Sequence, residues 1–223
     1  IANLRAWLGV RPEIVAHDLH PDLPTTRLAV DLAAELGARR VPVQHHHAHL
    51  AAALAAHGFE GDAQGLVLDG TGHGLDGTAW GGELLVGSAA SVRRVGRLRP
   101  LPLPGGDAAV RKPRRIAIAY LHALVPGSAD RPLDLFLRAP EGEVSAVRRM
   151  VERRVNTPYT SSAGRLFDAV SSLLGACDES SFEGQAPMLL EQLATTATRA
   201  HPMSLAVSER DGFLQIDPAP LLE

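Results

Sequence analysis

The order of apolar and polar positions divides the chain into short segments of alternating type. Ile14-Val15-Ala16 reads as a strand, and Thr25 or Thr26 can cap a helix that runs to about Leu36 and stops at Gly37. Val41 and Val43 mark a strand over residues 40–44, and a helix follows from about His46 to His57, ending at Gly58. Leu66-Val67-Leu68 is a short buried strand, residues 69–77 a glycine-rich turn, and residues 78–86 and 91–98 two further strands. Strands alternating with helices predict an α/β unit.

The pattern changes near Pro100. Residues 101–106 look like a linker, and beyond them the apolar spacing is mostly helical. Asp107 caps a short turn, and Pro113 opens a helix ending near Leu124. Others are expected over about 141–155, 164–174 and 187–200, the last with Pro187 at its first position. Residues 203–207 and 213–216 suit a hairpin around Asp211-Gly212. Asp217 and Pro218 read as a helix start, while Ile1-Ala2-Asn3-Leu4 reads as mid-chain, so a fragment of a longer protein is expected. The expected organisation is an α/β lobe over 1–100 and a mostly helical lobe over 101–223, with a cleft near residue 100.

Composition narrows the class. With 45% hydrophobic and 21% charged residues among 223, disorder is excluded as the main state. The single cysteine, Cys177, excludes a disulfide framework and a multi-cysteine zinc site. No apolar run approaches the roughly 18 residues of a membrane span, and no secretory pattern is present, so a cytoplasmic protein without a membrane partner is expected. A net charge of −3 disfavours a nucleic-acid partner. Between Arg93 and Arg115, however, eight basic residues meet one acid, Asp107. That stretch suits either an anionic partner or a solvated charged face.

Three segments carry candidate chemistry. In Gln44-His45-His46-His47-Ala48-His49, His45 and His49 are spaced i, i+4, so their imidazoles share one helix face and can meet one divalent cation. Surface or capping histidines would give the same string. The absence of a glutamate after the first histidine disfavours a metalloprotease. In Asp69-Gly70-Thr71-Gly72-His73-Gly74 the glycines could form an anion-binding nest, with Asp69 at a strand end, or merely a hairpin loop. In residues 161–174 an apolar face of Leu166, Phe167, Val170, Leu173 and Leu174 opposes a stripe of Ser161, Gly164, Arg165, Asp168 and Ser172. Asp168 could bind ribose hydroxyls or simply pair with Arg165 at i, i+3.

Taken in order, His17-Asp18-Leu19-His20-Pro21, VQHHHAH (43–49), DGTGHGLDGTAWGGE (69–83), LPGGD (103–107), TSSAGRLFDAVSSLLG (160–175) and FEGQAP (182–187) resemble the HypF type of hydrogenase maturation carbamoyltransferase. The resemblance implies its Kae1-like module, a two-lobed actin/Hsp70-like α/β fold, C-terminally truncated here. It implies that His45, His49 and Asp69 hold a divalent metal, iron or zinc. It places Gly70, Thr71 and Gly72 near the phosphate of carbamoyl-adenylate, formed from ATP, and Asp168 and Gly184 near the nucleoside. The implied reaction passes the carbamoyl group to the C-terminal cysteine of a HypE-type acceptor protein, with no protein nucleophile. His73 stands where the family usually has an aromatic, and Pro113-Arg114-Arg115 where it usually has Pro-Trp-Arg. A later family segment with a further metal ligand is missing, so the chain is expected to be silent alone. The competing readings are an O-carbamoyltransferase or threonylcarbamoyltransferase of the same fold, and a docking module that uses the basic stretch.

Overall fold

The computed structural model describes residues 1–128, 133–199 and 202–222. After α1 (Ala2–Leu8), strands β1 (Ile14–Asp18) and β2 (Arg39–Val43) pair in parallel, with α2 (Pro24–Leu36) as the crossover that parallel pairing requires. Pro24, rather than a threonine cap, opens α2: Leu23 holds the N-cap position without a side-chain bond, and the Thr26 hydroxyl instead donates to the His20 carbonyl at 2.8 Å. Gly37 ends the helix in the left-handed conformation at φ 65°, where glycine has no steric penalty. Helix α3 (His45–Ala56) starts directly after Gln44, whose side-chain oxygen accepts from the His47 N–H at 2.8 Å.

A seven-stranded sheet follows. It contains β3 (Ala63–His73), β4 (Ala79–Gly87), β5 (Val92–Leu98), β6 (Leu101–Pro102), β7 (Tyr159–Thr160), β8 (Ala206–Arg210) and β9 (Phe213–Asp217). The order is β6-β7-β4-β5-β9-β8, with β3 also on β4. Strands from both sides of residue 100 therefore share one sheet, β5 and β9 pairing in parallel. The β8–β9 hairpin turns at Asp211-Gly212 as its sequence predicts.

One expectation is corrected here. Residues 69–73 are not a turn but the continuation of β3, and the turn is confined to about Gly74–Gly77. Neither Gly70 nor Gly72 has a positive φ, so the alternating backbone of an anion nest does not form. The register shifts between Leu68 and Gly72, a β-bulge that re-aims the strand beside the histidine helix.

The remaining helices are α4 (Asp107–Val110), α5 (Pro113–Leu124), α6 (Asp134–Arg138), α7 (Glu143–Arg153), α8 (Ala163–Leu173) and α9 (Gln185–Thr196). Residue 200, the expected end of the last helix, lies outside the described residues, and Pro187 is its third residue rather than its first. Helix α5 is buried nearly all round: Ile116 to Tyr120 form the centre of the main core, packed against Leu166 and Ala169 of α8. The polar residues of α5, Arg114, Arg115 and His122, lie in its first and last turns, so the apolar middle is enclosed. The start expected at Asp217 and Pro218 falls one residue later: Pro218 is the N-cap of a single 3-10 turn (Ala219–Leu221), and Asp217 accepts from the Ala219 N–H at 3.0 Å.

Three of the eight basic residues between Arg93 and Arg115 pair with acids elsewhere in the chain. Arg94 pairs with Glu83 and Asp76, Arg99 with Asp217, and Arg114 with Glu143, Asp178 and Glu179. The polar stripe of α8 is largely buried. Arg165, Asp168 and Ser172 are enclosed, while Phe167 and Leu174 are exposed. Helix α8 lies with its polar side on β3, because Gly164 brings the two backbones together: a Cβ there would sit 2.8 Å from the Gly70 Cα.

Candidate metal centre and nucleotide cleft

Three side-chain atoms converge where α3 begins beside β3. His45 Nε2 lies 2.9 Å from Asp69 Oδ2 and 3.2 Å from His49 Nε2, and His49 Nε2 lies 3.9 Å from the same carboxylate oxygen. The three form a group compact enough for one metal ion. Asp69 Oδ2 is buried and makes no hydrogen bond, although its sister oxygen accepts from the Gly70 N–H at 2.6 Å. A solvent-excluded carboxylate oxygen facing two imidazole nitrogens is an arrangement that a bound cation would satisfy. Two nitrogens and a carboxylate oxygen suit zinc or iron, so the residues fit such a metal.

Asp18 completes the arrangement, a residue to which sequence reasoning assigned no separate role. Its Oδ2 lies 3.0 Å from His45 Nδ1. With Nδ1–H donating to that carboxylate, the Nε2 lone pair of His45 faces the convergence point, the usual way an outer carboxylate fixes a ligating imidazole. Burial works against the Asp18 charge, but the His20 N–H at 2.7 Å and the His45 ring outweigh it and hold the carboxyl below its ordinary range. Only the parallel β1–β2 pairing, which sets Asp18 beside Val43, brings it there.

His46 turns inward and is completely buried. Burial outweighs the pull of Glu83 and Asp69 and depresses its pKa to about 4, so the ring is neutral at pH 7. Gln44 donates its amide to His46 Nδ1 at 3.1 Å and to the His73 carbonyl at 3.0 Å. His47 points away, its Nε2 3.0 Å from the Ser88 carbonyl. Gly72 makes room for this packing, since a Cβ there would lie 2.6 Å from the rings of both His45 and His46. Beside His46 stands Trp80, its indole N–H donating to Asp76 at 2.8 Å and the Arg94 guanidinium 3.9 Å from its ring centre.

A cleft of about 650 Å³ opens next to the convergence point. Its lining includes six of the expected site residues: His45, Asp69, Gly70, Thr71, Asp168 and Gly184. His49 and Gly72 lie outside that lining. His49 instead edges an apolar groove between α3 and β3, and Gly72 edges a second polar cleft with Asp18 and His20. Asp168 is 3% exposed, and its Oδ2 lies 2.9 Å from Arg165 Nε without hydrogen-bond geometry, both atoms being otherwise unpartnered. Burial outweighs Arg165 and raises the Asp168 pKa to about 6. Ser162, the N-cap of α8, ties the helix to β3 by donating to the Gly70 carbonyl while accepting from the Arg165 N–H. Buried Glu83 holds the adjoining turn, accepting from Gly81, Gly82 and Ser161 on one oxygen and from Arg94 on the other.

Comparison with known proteins places this geometry. Residues 65–223 match the family described as the carbamoyltransferase Kae1-like domain, second subdomain, and residues 1–56 match the HypF Kae1-like domain. Carbamoyltransferase HypF2 of Cupriavidus necator is 52% identical over 194 residues, which is 87% of this chain and 24% of that protein. Carbamoyltransferase HypF of Rhodobacter capsulatus is 42% identical over 226 residues, 100% of this chain and 29% of that protein. A crystal structure of full-length HypF in the phosphate- and nucleotide-bound form superposes with a TM-score of 0.85 at 35% identity, covering 97% of this chain and 33% of that one. HypF of T. kodakarensis gives 0.82 at 31%, covering 99% and 29%. The chain thus spans between about a quarter and a third of the length of these relatives. On the family match and the shared fold, it belongs to the HypF carbamoyltransferases, within their Kae1-like domain.

Proposed function

We propose that this chain is the carbamoyl-transfer module of [NiFe]-hydrogenase maturation, within a two-lobed actin/Hsp70-like architecture. It passes a carbamoyl group from carbamoyl-adenylate to the C-terminal cysteine of a HypE-type acceptor protein. The observation that carries this reading is the meeting of His45 Nε2, His49 Nε2 and Asp69 Oδ2 at one end of a cleft whose walls include Asp168 and Gly184. A divalent cation held there would supply Lewis acidity toward the adenylate phosphate.

The chain's own groups position the substrate. Asp18 orients His45. Thr71 offers an exposed hydroxyl at the phosphate end of the cleft. Asp168 accepts from the ribose hydroxyls, and the buried Arg165 beside it keeps that carboxylate from being an isolated charge. In the transfer itself a carbon–sulfur bond forms between acceptor and carbamoyl carbon. The bond from that carbon to the phosphate oxygen breaks, AMP departs with the electron pair, and the thiol proton leaves to solvent. Internal pairing of Arg94, Arg99 and Arg114 leaves less of the basic stretch for the docking-module reading.

The test is a chimera in which residues 1–223 replace the matching part of the C. necator relative. Supplied with carbamoyl phosphate, ATP and acceptor, it should add one carbamoyl group to the acceptor cysteine by mass spectrometry. A cooperatively folded chimera that leaves the acceptor unmodified would refute the assignment.

A further inference from the structure

Gln44 stands where β2 gives way to α3, and its amide can point only one way. The oxygen accepts from the His47 N–H at 2.8 Å, and the nitrogen donates to the His73 carbonyl of β3 at 3.0 Å. Turning the amide over would set nitrogen against N–H and oxygen against carbonyl, and both partners are backbone groups with a single role each. The second hydrogen on the nitrogen goes to His46 Nδ1 at 3.1 Å, so Nδ1 accepts and carries no proton. The proton of the His46 ring is therefore on Nε2. That atom is buried without a hydrogen-bond partner, and so is Asp69 Oδ2, 3.8 Å away. The gap is just beyond the roughly 2.7–3.2 Å of an N–H···O bond. The other charge near His46 is Glu83, and both its oxygens are already taken by Gly81, Gly82, Ser161 and Arg94. Asp69 is the acceptor left for this donor.

We propose that His46 is a positioning residue for Asp69. Its Nε2–H closes onto Oδ2 and fixes the carboxylate toward His45 and His49. Gln44, by keeping the ring proton on Nε2, makes His46 a donor and bars it from serving as a third imidazole ligand. This inference rests on the metal reading above and adds what limits the number of nitrogen ligands.

Cobalt(II), a visible-absorbing stand-in for zinc or iron, tests it through chelator competition and absorption spectra. His46→Phe should weaken cobalt binding about 10- to 100-fold, the loss typical of a partner that orients a ligand. His46→Gln, which keeps an N–H at similar reach, should recover most of that loss. Gln44→Glu offers His46 only acceptor oxygens, so the ring proton moves to Nδ1. The bared Nε2 should then join the cobalt and change its visible spectrum, and adding His46→Phe should abolish the change. Parental affinity in a folded His46→Phe protein, no recovery in His46→Gln, or a parental spectrum in Gln44→Glu overturns the inference while the metal reading stands. Should His46→Phe not fold, the Gln44→Glu spectrum decides alone. If the unaltered protein binds no cobalt, the metal reading and this inference fall together.

Discussion

Replacing Gly164 by alanine tests the contact that builds the cleft. The new methyl would sit 2.8 Å from the Gly70 Cα and 3.4 Å from both the Asp69 carbonyl oxygen and the Gly70 nitrogen, whereas ordinary contact begins at 3.4 Å. All three neighbours are backbone, so nothing can swing aside, and α8 must lift off β3 by at least several tenths of an ångström. Overpacking of this kind costs about 1–3 kcal/mol. Alanine returns at most about 1 kcal/mol of helix propensity, and less at this second helical position. The net loss is about 1–2 kcal/mol, or roughly 2–8 °C in Tm for a chain of this size. Because Asp69 and Asp168 ride on the two elements being separated, ADP affinity should fall too. Gly70→Ala is the control. Its methyl would meet only Arg165 at 3.9 Å, so stability should hold while the cleft becomes crowded. Urea unfolding of both variants decides. A Gly164→Ala protein as stable as its parent would show that α8 and β3 do not need this approach.

Further outcomes are open to measurement. Metal analysis should find about one equivalent of iron or zinc, lost in the His45→Ala, His49→Ala double variant; undiminished content would reject these ligands. Asp18→Asn should lower metal affinity about 10- to 100-fold by loosening His45, as competition with a chelator would show. Asp168 has an ordinary pKa of 3.8 and a folded value of about 6, so both states are protonated at low pH and the folded state bears the buried charge above about pH 6. Its contribution to stability therefore falls by about 2 kcal/mol as pH rises from 4 to 7. Denaturant titrations at intervals of pH should show Asp168→Asn removing that slope, and a difference of opposite sign would mean that Arg165 dominates.

The sequence marks most elements through their punctuation. Gly37 and Gly58, Gln44 before the histidines, Ser162 before α8 and Asp211-Gly212 fall at observed boundaries. The convergence of His45, His49 and Asp69 was visible because two of them lie on one turn of one helix and the third ends a strongly apolar run. What stayed hidden depends on distant chain. Asp18 reaches His45 only through strand pairing, and the acids that pair with Arg94, Arg99 and Arg114 range from Asp76 to Asp217. One expectation failed where β3 and α8 are pressed together. Glycines 70 and 72 suggested a loop, but they lie in a strand, and the polar stripe of α8 is enclosed beside it.

The packing around Trp80 gives the protein a built-in optical probe. The chain has two tryptophans, Trp7 at 82% exposure and Trp80 at 4%. Iodide in solution will quench the first and hardly touch the second. The emission that survives then comes from an indole 5.8 Å from the His46 ring, one residue along α3 from His45. A cation bound at His45, His49 and Asp69 should therefore alter this residual fluorescence, with no added dye.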